Sequence, residues 1–125
     1  MNLRAKSLVL AIAVLAAIPT QPLPAADKKA NEMAGAILFR DQDCRHCHTM
    51  DGVGGKKGPD LTEIDKDKVW LPAKITNQIL NGGQKMPPFS DALTDAQIAQ
   101  IVAYLRAKHR PVPPPRATPA PPPAN

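Results

Sequence analysis

The sequence predicts an all-α domain built on three main helices. Three segments place apolar residues at helical spacing, each carries a start or stop signal, and no segment alternates apolar and polar residues as a half-buried strand does. Without strands to alternate with the helices, a βαβ architecture is set aside.

The first helix is expected over residues 31–41. Met33, Ala34, Ile37 and Leu38 fall at helical spacing and are its expected core face, with Asn31 as the N-cap. The second is expected over residues 70–81. Leu71, Ile75 and Ile79 stand four apart, Pro72 is tolerated in the first turn, and Gly82 stops the helix. The third, over residues 95–108, has the strongest start signal. Thr94 and Gln97 form a capping box, and Ile98, Ile101, Val102 and Leu105 make one apolar stripe. A glycine- and lysine-containing loop is expected between Thr49 and Lys68, and there is no internal repeat.

The chain ends are expected to lie outside this domain. Arg4 and Lys6 precede an eleven-residue apolar run, Leu8–Ile18, followed by Pro19, Pro22, Pro24 and the small Ala25 and Ala26. That is the layout of a secretory signal peptide over residues 1–26, and the run is short of the roughly 20 residues a membrane-spanning helix needs. No cysteine follows it to carry a lipid anchor, so an exported, soluble protein is expected. Cleavage removes two basic residues and no acidic one, which lowers the formal charge from +5 to +3. So mild a charge, with four aromatic residues in the whole chain, argues against nucleic acid as a partner. At the other end, eight of the last fifteen residues are proline, so residues 110–125 are expected to form an extended, disordered tail. The folded domain is then residues 27–109. A domain this small, with so few aromatics, needs a staple beyond its hydrophobic core.

Cys44-Arg45-His46-Cys47-His48 supplies one. It reads C-x-x-C-H, the pattern of covalent c-type haem attachment: two thiols three residues apart each bond a haem vinyl group, and the following imidazole points at the iron. A zinc site competes, but it needs four ligands and only distant His109 or carboxylates remain to complete it. A thioredoxin-like pair belongs in a βαβ pattern, and a local disulfide is the third alternative.

A six-coordinate iron needs a second axial ligand, for which a soft thioether is suited. Met1 leaves with the signal peptide, Met50 is too close to His48 to reach the other haem face, and Met33 is expected to pack in the core. Met86 remains, in Gly82-Gly83-Gln84-Lys85-Met86-Pro87-Pro88-Phe89, where glycines permit an unusual path and prolines stiffen it. Filling a core gap is the alternative role for Met86. His109 is expected to be solvated at a helix end, and His46 to be an exposed spacer.

Over residues 30–108 these features resemble a monohaem class I cytochrome c of the small bacterial periplasmic type. Gly35 with Phe39, and Ile101 with Tyr104, resemble the pairs by which that family's terminal helices cross. Gly58-Pro59-Asp60-Leu61 looks like the family's loop on the His side, and Met86-Pro87-Pro88-Phe89 like its Met-ligand loop. The resemblance implies a small class I cytochrome c fold, three helices wrapped around one covalently bound haem c. It implies Cys44 and Cys47 as attachment points, His48 and Met86 as the iron's axial ligands, and the Pro59 carbonyl as acceptor for the second ring nitrogen of His48. Trp70 is similar to aromatic donors to a haem propionate, with packing as its other reading.

The function so implied is a periplasmic electron carrier cycling between Fe(II) and Fe(III), monomeric, exchanging electrons with redox-partner proteins, and not itself an enzyme. Lys56, Lys57 and Lys85 are expected near the haem edge, where they would steer an acidic partner. Two alternatives stand beside it: a haem subunit docked on a periplasmic dehydrogenase or oxidase, and a haem peroxidase or gas-binding protein with a labile sixth ligand.

Overall fold

In the computed structural model, which describes residues 25–118, helix α1 runs Ala25–Asp41, α2 Pro72–Asn81 and α3 Asp95–Leu105. Between α1 and α2 lie a single 3-10 turn, Cys44–His46, and a two-stranded hairpin of β1, Thr49–Met50, and β2, Val53–Gly54. Of the expected signal peptide only Ala25 and Ala26 fall within these residues, in the first turn of α1. The remainder lies outside them.

Helix α1 begins six residues before the expected Asn31 cap. Ala25, Ala26, Lys28, Lys29 and Ala30 favour helix, and Lys28 and Glu32 add an i,i+4 ion pair at 4.0 Å. Asn31 instead sits inside the helix, where its Oδ1 accepts a bond from Gln100 Nε2 of α3 at 3.4 Å. The buried face also differs from the one periodicity predicts, and follows the Gly35 and Phe39 crossing that the resemblance implies. Gly35, Ala36 and Phe39 are buried, while Met33, Ala34, Ile37 and Leu38 are only half-buried. The reason is the close crossing of α1 on α3. A Cβ on Gly35 would stand 1.9 Å from the Gln100 carbonyl oxygen and 2.8 Å from Tyr104 Cβ, so only glycine fits there. One turn on, the Phe39 and Tyr104 rings meet with centroids 5.5 Å apart.

Helix α2 starts at Pro72, and Leu71, expected on its apolar face, is the N-cap residue and 53% exposed. Ile75 and Ile79 are buried as their spacing predicts. In α3 the capping box forms as expected, Thr94 Oγ1 accepting from Gln97 N–H and Gln97 Oε1 from Thr94 N–H. The helix ends at Leu105 rather than 108. Arg106 N–H still bonds Val102 O, but Ala107 N–H closes a tighter turn on Tyr104 O at 3.2 Å. Ile98, Ile101, Val102, Tyr104 and Leu105 give α3 its buried face.

The loop after Thr49 contains the hairpin. Asp51 and Gly52 both have positive φ, 52° and 77°, which is the two-residue Asp-Gly turn that suits a tight antiparallel pair. Met50 is fully buried beneath it. No helix among the described residues is long and apolar enough to cross a membrane.

Residues 110–118 form no helix or strand, as their proline content predicts, yet they are tied to the domain. Arg116 Nη2 donates to Arg40 O at 2.7 Å and to Asp43 Oδ1 at 3.0 Å, and Arg40 Nη1 donates to Pro114 O. Arg110 is deeper still, its side chain only 9% exposed.

Candidate haem site

The attachment motif sits where α1 breaks. Asp43 takes a left-handed conformation, φ 54° and ψ 33°, which redirects the chain into the 3-10 turn. His46 N–H then bonds Asp43 O at 2.8 Å, and His48 N–H bonds Cys44 O at 3.0 Å. Cys44 and Cys47 project from this one turn, both half-buried. The hairpin clasps the turn from behind: Gly55 N–H donates to Arg45 O and Gly58 N–H to Cys47 O, both at 2.8 Å. Two glycines permit that approach, since a Cβ on Gly54 would meet His48 O at 2.2 Å and one on Gly55 would meet His46 O at 2.0 Å.

His48 Nδ1 lies 2.8 Å from Pro59 O. A carbonyl only accepts, so Nδ1 carries the proton and Nε2 keeps its lone pair. The ring rests against Gly58, where a Cβ would stand 2.7 Å from His48 Cε1. The Pro59 loop is itself held: Leu61 N–H donates to Thr49 O and Asp51 N–H to Thr62 Oγ1, both at 2.9 Å.

Met86 comes from a second glycine-directed loop. Gly82 ends α2 at φ 67°, and Gly83 N–H closes a tight turn on Met86 O at 2.8 Å. A Cβ on Gly82 would stand 2.4 Å from Met86 O. Phe89 N–H, bonded to Ile79 O at 3.0 Å, fastens the far end of the loop to α2.

These loops converge on one apolar cleft. Cys44, His48 and Met86 line a small cavity with Phe39, Ile101 and Phe89, and His48 and Met86 also line an adjoining one of about 250 Å³ with Pro59 and Trp70. Trp70 is half-buried, with Lys74 Nζ 4.3 Å from its ring centroid. Of the other methionines, Met50 lies in the core and Met33 is half-buried on α1, outside both cavities. His109 is exposed, and exposed His46 accepts a bond from Lys57 Nζ at 3.0 Å.

The chemistry of these donors suits a covalently held haem. Burial pushes the Cys44 thiol up to about 11, an environment that suits an uncharged thioether sulfur. Among the described residues no three His, Cys, Asp or Glu side chains are grouped to hold a metal ion by themselves. An imidazole with a fixed tautomer and a thioether, lining the same cleft, remain available for the iron of a macrocycle.

Residues 30–105 match the family described as cytochrome c oxidase, cbb3-type, subunit III. The chain belongs to this cytochrome c family. The cytochrome domain is 36% identical over 84 residues to the cbb3-type cytochrome c oxidase subunit FixP of Sinorhizobium medicae, covering 58% of this chain and 28% of that protein. It is 35% identical over 91 residues to the quinohemoprotein alcohol dehydrogenase ADH-IIG of Pseudomonas putida, covering 70% of this chain and 12% of that one. The matched segment thus spans about a quarter and an eighth of these relatives' lengths. The c-type cytochrome SorU of Sinorhizobium meliloti aligns with a TM-score of 0.48 and 28% identity, covering 65% of this chain and 90% of that one. The cytochrome domain carries covalently bound haem c with its iron, and its role is haem-based electron transfer.

Two contributors to this site escape sequence reasoning. Arg106 Nη1 donates to Ile64 O at 2.5 Å, Asp67 O at 3.0 Å and Trp70 O at 3.3 Å, pinning the loop that walls the larger cavity. Arg110 holds the preceding stretch, and nothing in the local pattern of either arginine announces a carbonyl partner some forty residues away.

Proposed function

We propose that this chain is an exported, periplasmic electron carrier in which His48 and Met86 are the two axial ligands of one haem c and Cys44 and Cys47 hold it by thioethers. The observation that carries the reading is that His48, its Nδ1 held on Pro59 O at 2.8 Å, lines the same apolar cleft as Met86. When bound, the haem iron supplies a one-electron couple between Fe(II) and Fe(III).

The chain's own residues account for the rest. Pro59 orients the imidazole and raises its basicity through the shared proton, which holds the His side in one geometry in both oxidation states. The Gly82–Phe89 loop, closed on itself and fastened to α2, presents the Met86 thioether without a long tether that would let it swing away. Phe39, Leu61, Ile79 and Leu105 exclude water, so charge on the iron is felt in a low dielectric. With both axial positions filled by protein, no position is left for substrate, which favours carriage of electrons over catalysis. Exposed Lys56, Lys57 and Lys85 flank the attachment loop and the Met86 loop in sequence, and steer an acidic partner by charge rather than by contact area.

The test is an intact mass and an optical spectrum of the exported protein. A mass greater by one haem, a chain beginning near Ala26, a weak near-infrared band of Met-ligated ferric haem, and no carbon monoxide binding at neutral pH are expected. Absence of the band together with ready carbon monoxide binding overturns the carrier in favour of a peroxidase or gas-binding protein. A second reading is favoured by the two curated relatives, in which the matched segment is a part of a larger oxidase subunit or dehydrogenase. In that reading the domain docks permanently on an oxidoreductase, and a second polypeptide copurifies with it.

A further inference from the structure

We infer that Arg110 is a positioning residue for His48, acting through the loop that carries Pro59; the inference rests on the reading of His48 as an axial ligand. Arg110 stands where the proline-rich segment begins, yet its side chain is only 9% exposed. Its Nη2 donates to Thr62 O, reaches Leu61 O at 3.5 Å and lies 3.3 Å from Asp65 Oδ1, while Nη1 lies 3.7 Å from Asp51 Oδ1. One planar cation thus joins the hairpin turn at Asp51 to the loop of residues 61–65.

That placement matters because of what lies on either side. The Pro59 carbonyl that takes the His48 Nδ1 proton is two residues before Leu61. The other ties around Pro59 and Leu61 are neutral, Gly58 N–H to Cys47 O, Leu61 N–H to Thr49 O and Asp51 N–H to Thr62 Oγ1, while Arg106 holds the loop farther on, at Ile64 O. Arg110 adds charged bonds at Leu61 and Thr62, nearest Pro59, and a guanidinium fork spans two carbonyls and two carboxylates where a lysine ammonium meets them as a single point. Bonds to a charged donor are stronger than neutral ones, and removing a buried donor leaves the Leu61 and Thr62 carbonyls without it. The loop then shifts, and Pro59 O loses its aim on the imidazole. The tail's second anchor does not share this role: Arg116 binds Arg40 O and Asp43 Oδ1 at the end of α1 and touches neither the Pro59 loop nor the hairpin.

The experiment uses the full-length, haem-loaded protein and its Arg110→Gln, Arg110→Lys and Arg116→Gln variants. Solvent exchange of the His48 Nδ1 proton is followed by NMR, together with the midpoint potential. Arg110→Gln is expected to accelerate exchange by about tenfold or more, the effect of losing a charged hydrogen bond on a single site. It also raises the potential, because an imidazole without its acceptor donates less to the iron and stabilises the ferric state less. Arg110→Lys accelerates exchange less, and Arg116→Gln leaves it at the wild-type rate. Wild-type exchange in Arg110→Gln overturns the proposal, and so does equal acceleration in Arg116→Gln, which would mark general loosening of the tail. If Arg110→Gln does not fold, Arg110→Lys decides alone: acceleration supports the proposal and the wild-type rate overturns it. A ferric wild-type protein whose His48 ring shows no hyperfine-shifted resonances overturns the axial ligation itself, before any variant is compared.

Discussion

His48 presents one free nitrogen to the cleft because Nδ1 is committed to Pro59 O at 2.8 Å, and Gly58 leaves room for the ring to lie flat against the backbone. Met86 has no comparable partner: its position is set by the path of the loop, through Gly82 and the Gly83–Met86 bond. Under the proposed ligation, the two sides of the iron are therefore expected to respond differently to substitution. Met86→Ala should keep the haem, since both cysteines remain. It should abolish the near-infrared band, lower the midpoint potential and admit carbon monoxide to the ferrous protein, all readable by optical titration. At this scale the sequence singles out residues of which the structure brings Cys44, His48 and Met86 to one cleft. Cys44, Cys47 and His48 declare themselves by spacing, and Met86 stands out by its glycine and proline neighbours. Arg106 and Arg110 do not, because their partners are backbone carbonyls, which any residue supplies and no motif records.

Among the elements, the crossing of α1 on α3 is the tightest. Gly35→Ala replaces a poor helix former by the best one, worth about 1 kcal/mol on propensity alone. Yet the added Cβ would stand 1.9 Å from Gln100 O, and backbone cannot step aside as a side chain can. The steric term wins. A net loss of about 1–3 kcal/mol is expected, the usual cost of overpacking, measured as a lowered midpoint in thermal unfolding of the haem-loaded protein. The same position explains why periodicity picked the wrong face of α1. Hydrophobic spacing ranks Met33 and Ile37 above Gly35 and Ala36, but close helix approach selects small residues, which carry little hydrophobic signal. Helix α3 was legible because its capping box and apolar stripe agree. The hairpin had a readable cue in Asp51-Gly52, but strands of two residues are too short to alternate.

For the whole molecule, three carboxylates held below their usual range contribute to the response to acid: Asp41, bonded to the Arg40 guanidinium, and two in the loops. The Trp70 and Val69 backbone N–H groups hold Asp67 below the usual carboxylate range, and the Thr62 hydroxyl and N–H do the same for Asp60. A depressed pKa means the folded state binds protons less readily than the unfolded one, so this stability is present above about pH 4 and fades as the pH falls further. Denaturant titrations between pH 5 and about pH 2 should show that loss. Asp67→Ala should be less stable at neutral pH and lose less on acidification; an unchanged acid slope counts against the assignment. In the proposed encounter, reversing Lys56, Lys57 and Lys85 together should weaken or invert the salt dependence of electron transfer to an acidic partner. Finally, the α1–α3 crossing joins residues near both ends of the matched segment, so the turn, the hairpin, α2 and both ligand loops all lie within one closed circuit of chain between Gly35 and Gln100. Closing such a circuit costs free energy that grows only logarithmically with its length, about 0.6 kcal/mol per doubling. Insertions at the exposed Lys56–Lys57 stretch should thus be thermodynamically cheap. Partner specificity in this domain has room to evolve by lengthening the circuit while its clasp stays unchanged.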